Sequence, residues 1–168
     1  EYTASDGTVV MITCYTFPDF QQPRENPAWQ TIHDSYAQAG EELSANAAQQ
    51  EQWALGDYDS AEATGFPFSP YVDEQSYEFT QLTDQWASVL RTHYMNSGGA
   101  YPTTFYFTDL WDLSTGKRLT LAECFDTDSD TALARVLEQV LDLNSQGAYG
   151  GQVWDEETIR SGFDPNLF

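Results

Sequence analysis

Basic residues are what this sequence has least of. Its 168 residues include 6 Lys and Arg against 27 Asp and Glu, a formal net charge of −21 at pH 7. That balance excludes nucleic acid as a partner, because its phosphates would be repelled. It equally sets the chain against anionic membrane surfaces and cell-wall polyanions. Long apolar runs are missing too. No stretch of 18 apolar residues occurs, so no direct membrane insertion of this segment is expected. A basic partner is the one the charge favours, although solubility alone also accounts for an acidic surface.

Cysteine is scarce. Cys14 and Cys124 lie far apart, which excludes a local Cys-x-x-Cys redox or zinc motif. A bridge between them would be worth about 4–5 kcal/mol in an oxidising compartment. The apolar runs around each favour the other reading, two small buried side chains. His33 and His93 fall on different elements with no His-Glu-x-x-His context, so no metal set is nominated. No Gly-x-Ser-x-Gly elbow occurs. Neither Gly98-Gly99 nor Gly150-Gly151 opens a helix after a strand with phosphate-loop spacing. Asp126, Asp128 and Asp130 begin like a calcium loop, but its sixth position is Thr131 and its twelfth Leu137. Helix capping explains them better. With 27 acids, some carboxylate pair falls close by chance, so composition cannot argue for a glycosidase. No enzyme activity, cofactor or metal is expected.

What is present is the material of a folded domain. Apolar residues make up 40% and aromatics 15%, and a chain of this length buries roughly 70% of its unfolded surface. Thr8–Phe17 reads as a strand with apolar residues on both faces. A long helix should start at Asn26 as N-cap with Pro27 at the first helical position. Trp29, Ile32, Tyr36, Ala39, Leu43, Ala47 and Ala54 form its apolar stripe, and Gly56 is its expected stop. Asp57–Pro70 then reads as a loop and Tyr71–Thr80 as a strand.

Trp86–Phe125 organises the rest. Two runs rich in β-branched and aromatic residues flank Asn96-Ser97-Gly98-Gly99, a hairpin or tight-loop signal. Trp86, Ser88, Leu90, Thr92 and Tyr94 share one face of the first run; Thr103, Phe105, Phe107, Asp109, Trp111 and Leu113 share one face of the second. Ser114-Thr115-Gly116-Lys117 turns again, and Arg118–Leu121 returns as a short strand. A helix over Thr131–Asn144 follows, with Leu133, Val136, Leu137, Val140 and Leu141 as its buried face. A short helix comes last, between Asp155 as N-cap and Gly162. The expected fold is α+β: an antiparallel sheet of four to five strands with the long helix and the second helix on one face.

Trp86, Tyr94, Tyr101, Tyr106, Trp111, Tyr149 and Trp154 exceed the aromatics one core face needs. Tyrosine and tryptophan are enriched at protein interfaces and stack on sugars, although a two-sided sheet that packs aromatics under a helix accounts for them better. The candidate binding set is Tyr94, Gly98, Gly99, Tyr101 and Trp111.

The order strand, Gly98-Gly99-Ala100-x-Pro102, aromatic strand, Asp112-Leu113-x-Thr115-Gly116-Lys117, Leu119-Thr120-Leu121, Phe125 resembles the RsiV-like extracytoplasmic domain family. That family includes the lysozyme-binding domain of the anti-sigma factor RsiV and the non-catalytic region of the peptidoglycan deacetylase PdaC. The resemblance is clearest over residues 86–168; Phe17-Pro18-Asp19-Phe20 and the helix after it resemble the first half. A His often stands before the Pro in the family, where this chain has Tyr101. The resemblance implies one domain over 1–168, with subregions 1–82 and 83–168 and its last strands missing after Phe168. It implies a non-enzymatic sensing or binding role outside the cytoplasm, with an upstream anchor absent from this chain. The implied partner is lysozyme or another basic protein, and a cell-wall glycan is the alternative.

Overall fold

The computed structural model describes residues 1–20, 26–148 and 155–162. Asn26 starts the first helix as expected. Its side chain accepts from the Ala28 amide at 2.9 Å, and Pro27 fills a position whose missing N–H costs nothing. The helix, α1 (Pro27–Thr64), runs 38 residues, about 57 Å at 1.5 Å per residue. Gly56 does not stop it. The stop is Gly65, in the left-handed conformation at φ 73°, whose N–H bonds the Ala61 carbonyl at 2.8 Å. Asp57–Thr64, expected in a loop, is therefore helix.

The strands are β1 (Tyr2–Thr3), β2 (Val9–Tyr15), β3 (Tyr71–Leu82), β4 (Trp86–Asn96), β5 (Thr103–Asp112) and β6 (Lys117–Arg118). They form one sheet in chain order. The α+β class holds, with six strands where four to five were expected. One pairing departs from the antiparallel expectation: β2 and β3 are parallel, Met11 opposite Tyr71. The cause is α1. A strand, a long helix and a strand make a crossover that returns the chain in its original direction. The pairs β1–β2, β3–β4 and β4–β5 are antiparallel, and β4 with β5 forms the hairpin around the glycine pair.

Two apolar clusters anchor α1. Ile32 and Tyr36, from its first half, pack with Ala87, Trp111 and Leu113. Ala47 and Ala54, from its second half, pack with Val10, Met11, Ala4 and Tyr71. Small alanines let the helix approach the sheet closely there. Gly116, at φ 73°, lies against the backbone of Ala28, where a Cβ would overlap the Ala28 carbonyl. This explains the glycine of the Asp-Leu-x-Thr-Gly-Lys stretch: it seats the helix start on the β5–β6 turn.

The chain divides into two compact units, 1–117 and 118–168. The expected subregion border at residue 82 falls between β3 and β4, which are hydrogen-bonded along most of their length. In the second unit, Leu121 is not the end of a strand. Thr120 and Glu123 form a capping box that starts α2 (Leu121–Cys124). Asp128 caps α3 (Ser129–Ser145), its carboxylate accepting from the Thr131 amide at 2.9 Å. Asp155 accepts from the Thr158 amide at the start of α4 (Glu156–Gly162) in the same way. The five apolar residues of the α3 stripe are half-buried, not buried. Cys14 and Cys124 are free and exposed, contrary to the buried reading. Cys14 shares a strand face with fully buried Val10, but cover is lost toward the end of β2.

Candidate functional site

The extra turns of α1 build one side of a concavity in the first unit. With the helix intact to Thr64, Asp57, Ala61 and Thr64 fall on one face at three- and four-residue spacing. That face looks onto the start of β3 and the β4–β5 loop. Two adjoining openings result, of about 280 Å³ and 610 Å³, which share Asp57, Tyr71 and Ser97. Phe66 walls the smaller and Trp53 the larger. Both rings are open to solvent, Phe66 at 74% and Trp53 at 59%.

At the shared floor the Tyr71 hydroxyl donates to Asp57 Oδ2 at 2.7 Å. Burial and the Asp57 charge push the Tyr71 phenol up to about 12. Gly98 completes the wall at φ 77°, and a Cβ there would come within 2.9 Å of the Ser69 carbonyl. Only glycine suits that position.

The electrostatics of this end are one-sided. α1 carries Asp34, Glu41, Glu42, Glu51, Asp57, Asp59 and Glu62 and no lysine or arginine. Of these, Glu62 sits in the last turn, at the negative end of the helix dipole, where it is unfavourable by about 0.3–1 kcal/mol at low ionic strength.

Gln50 lines the larger opening and leads to a buried polar row. Its Nε2 donates to Asp73 Oδ2 at 2.8 Å, and the Tyr15 hydroxyl donates to the same oxygen at 2.8 Å. His93 Nε2 bonds Asp73 Oδ1. Asp73 is fully buried. Burial raises its pKa, but the hydrogen bonds from His93, Tyr15 and Gln50 and the His93 charge outweigh burial and hold the carboxyl low. Further along the sheet, Arg91 grips Asp109 and also donates to Gln75 Oε1 at 3.3 Å. The Tyr36 hydroxyl donates to Asp109 at 3.2 Å and accepts from Trp111 Nε1 at 2.8 Å. Burial and the Asp109 charge push the Tyr36 phenol well up. This row joins α1 to the sheet between its two apolar clusters. Each charge in it is matched, which suits a scaffold more than a reacting centre.

The expected binding residues do not converge. Tyr101 is 93% exposed in the β4–β5 loop, beside Gly98 and Gly99. Tyr94 is half-buried on β4, opposite Thr104. Trp111 is 3% exposed and opposite Ala87, on the other face of the sheet, with its N–H already bonded. Of the five, only Gly98 lines the groove. Tyr106 and Trp86 are exposed as expected, while Tyr149 and Trp154 lie outside the described residues. Asp57 and Phe66 were missed because Gly56 reads as a helix stop, and Trp53 because it lies off the apolar stripe of the expected helix. The Gly65-Phe66-Pro67 breaker was the available signal. No cluster of three metal-capable side chains occurs among the described residues, and no described helix is long and apolar enough to cross a membrane.

A family model described as "Deacetylase PdaC" matches residues 5–104. The chain belongs to the deacetylase PdaC family. In this PdaC-family domain the matched stretch runs from the β1–β2 turn through α1 to the start of β5, and so holds the whole groove. Within the closer resemblance read at 86–168, it overlaps residues 86–104 only. No curated protein matches the chain. A crystal structure of a DUF3298 family protein from Pseudomonas aeruginosa PAO1 matches with 16% identity and a TM-score of 0.35. The match covers 55% of this PdaC-family chain and 43% of that one, so the chain spans less than half of that protein's length. A likeness of this size carries no further argument.

Proposed function

We propose that the domain is a non-enzymatic, extracytoplasmic binding module that docks a basic protein, and that lysozyme, the partner nominated by the RsiV-like resemblance, is the first to try. The observation that carries this reading is where the charge sits. Residues 1–117 hold 17 acids against 3 bases. One of those bases, Arg91, is spent on Asp109 inside the sheet. The surface of the first unit is left strongly anionic, and such a field steers a cationic protein to encounter and repels acidic competitors. The carboxylates of the buried row, Asp73 and Asp109, are both hydrogen-bonded on the sheet, which supports a scaffold role for it. In this reading the domain works outside the cytoplasm, tethered by a segment upstream of residue 1.

A second reading, a glycan-binding accessory domain, is favoured by the exposed rings of Trp53, Phe66 and Tyr101. The two separate by salt. Calorimetry of the chain with a basic lysozyme should give binding at low ionic strength that weakens steeply toward 0.5 M NaCl, where screening acts within about 4 Å. No heat with lysozyme at any salt removes the lysozyme reading. Salt-insensitive binding of chitooligosaccharide in its place supports the glycan.

A further inference from the structure

We propose that the groove between the last turns of α1 and the start of β3 receives one lysine or arginine side chain of the basic partner, an assignment that rests on the docking reading above. The smaller and larger openings, about 280 Å³ and 610 Å³, meet at Asp57. Tyr71 occupies one oxygen of this exposed carboxylate, and the other has no donor among the described residues. A cationic head placed there gains a charge-assisted hydrogen bond. Phe66 and Trp53 present open aromatic rings on either side, and a cation over such a ring is attracted by its quadrupole. The alkyl stem of lysine or arginine suits the same rings.

The helix end adds a second demand for positive charge. The last turn of α1 combines the negative end of its dipole with Glu62 and has no basic residue, and Asp57 and Asp59 lie in the turn before it. Among the described residues no lysine, arginine or histidine lines either opening. A neutral sugar would leave that charge as it is, and an anion would be repelled. A cationic side chain answers both the carboxylate and the aromatic rings.

The test uses the full chain with a basic lysozyme, a pentalysine peptide and its fully acetylated counterpart. The variants are Asp57→Asn, which keeps an acceptor for Tyr71, and Trp53→Ala. Tyr106→Ala, an exposed ring on the sheet, is the control. Both groove variants should weaken lysozyme and pentalysine binding by about three- to fivefold, as expected for a lost ion pair or cation–π contact at an exposed site. The control should stay within about twofold, and thermal melts should show all three folded. The acetylated peptide should not bind. Groove variants that bind as well as the unaltered chain overturn the assignment. So does a chitooligosaccharide whose salt-insensitive binding is lost in Trp53→Ala but kept in Asp57→Asn. If lysozyme does not bind but pentalysine does, and Asp57→Asn abolishes it, the lysozyme reading fails and the groove assignment stands.

Discussion

Arg91 holds both oxygens of Asp109, with Nε donating to Oδ2 at 2.7 Å and Nη2 to Oδ1 at 3.3 Å. The pair reaches across β4 and β5 on the face that Trp111 and Tyr36 share, and the Asp109 side chain is only 2% exposed. A planar fork on a carboxylate is the geometry in which an arginine is hardest to replace.

Breaking that pair from one side should therefore cost more than removing it. Arg91→Leu leaves the Asp109 charge buried, and Asp109→Leu leaves the guanidinium unmatched. Each should destabilise the domain by about 3–5 kcal/mol. The double variant Arg91→Leu/Asp109→Leu should cost less than either single change, since no uncompensated charge remains. Urea midpoints of the four proteins check this. A double variant as unstable as the sum of the singles would show the two residues to be energetically independent.

Asp73 should make part of the stability pH-dependent, with a definite sign. Its folded pKa lies below its unfolded value of about 3.9. Its contribution is thus present above pH ~4 and is lost as pH falls through the folded value. The difference in urea midpoint between the native chain and Asp73→Asn should shrink below about pH 4 relative to its value at pH 5. A difference that grows on acidification would contradict the assignment. Comparing the two proteins at each pH removes the effect of the many other carboxylates.

Two glycines should behave oppositely. Gly116→Ala meets both a left-handed backbone and the carbonyl of Ala28. It should cost about 2 kcal/mol or more, and loosen the seat of α1. Gly99 has no positive φ and nothing near its absent Cβ. Gly99→Ala should stay within about 0.5 kcal/mol. Thermal unfolding of both variants measures the contrast.

Much of the skeleton was legible because it is written in short-range chemistry. Asn26-Pro27, Asp128 and Asp155 announce helix starts through side chains that reach amides two or three residues away. The Asn96–Gly99 stretch announces a hairpin through backbone freedom. Thr120-x-x-Glu123 was equally local, and the reading of Arg118–Leu121 as a strand passed over it. Gly56 misled because a glycine within a helix and one that ends it look alike until the following residues are weighed. Gly65 ends α1 by adopting the left-handed conformation, with Phe66-Pro67 next.

The sequence by itself settled where most helices and strands begin, the acidic surface and the capping residues Asn26, Asp128 and Asp155, because each follows from neighbours within a turn or from counting charges. Only the tertiary structure decided that β2 and β3 run parallel, that Trp111 faces the core while Tyr94 faces away, and that Tyr36 meets Asp109 across 73 positions and Tyr15 meets Asp73 across 58. Alternation along a strand divides residues between two faces without saying which face a helix will cover. That choice is made when the long crossover lays α1 on the sheet, and the groove beside Asp57 exists only after it has been made.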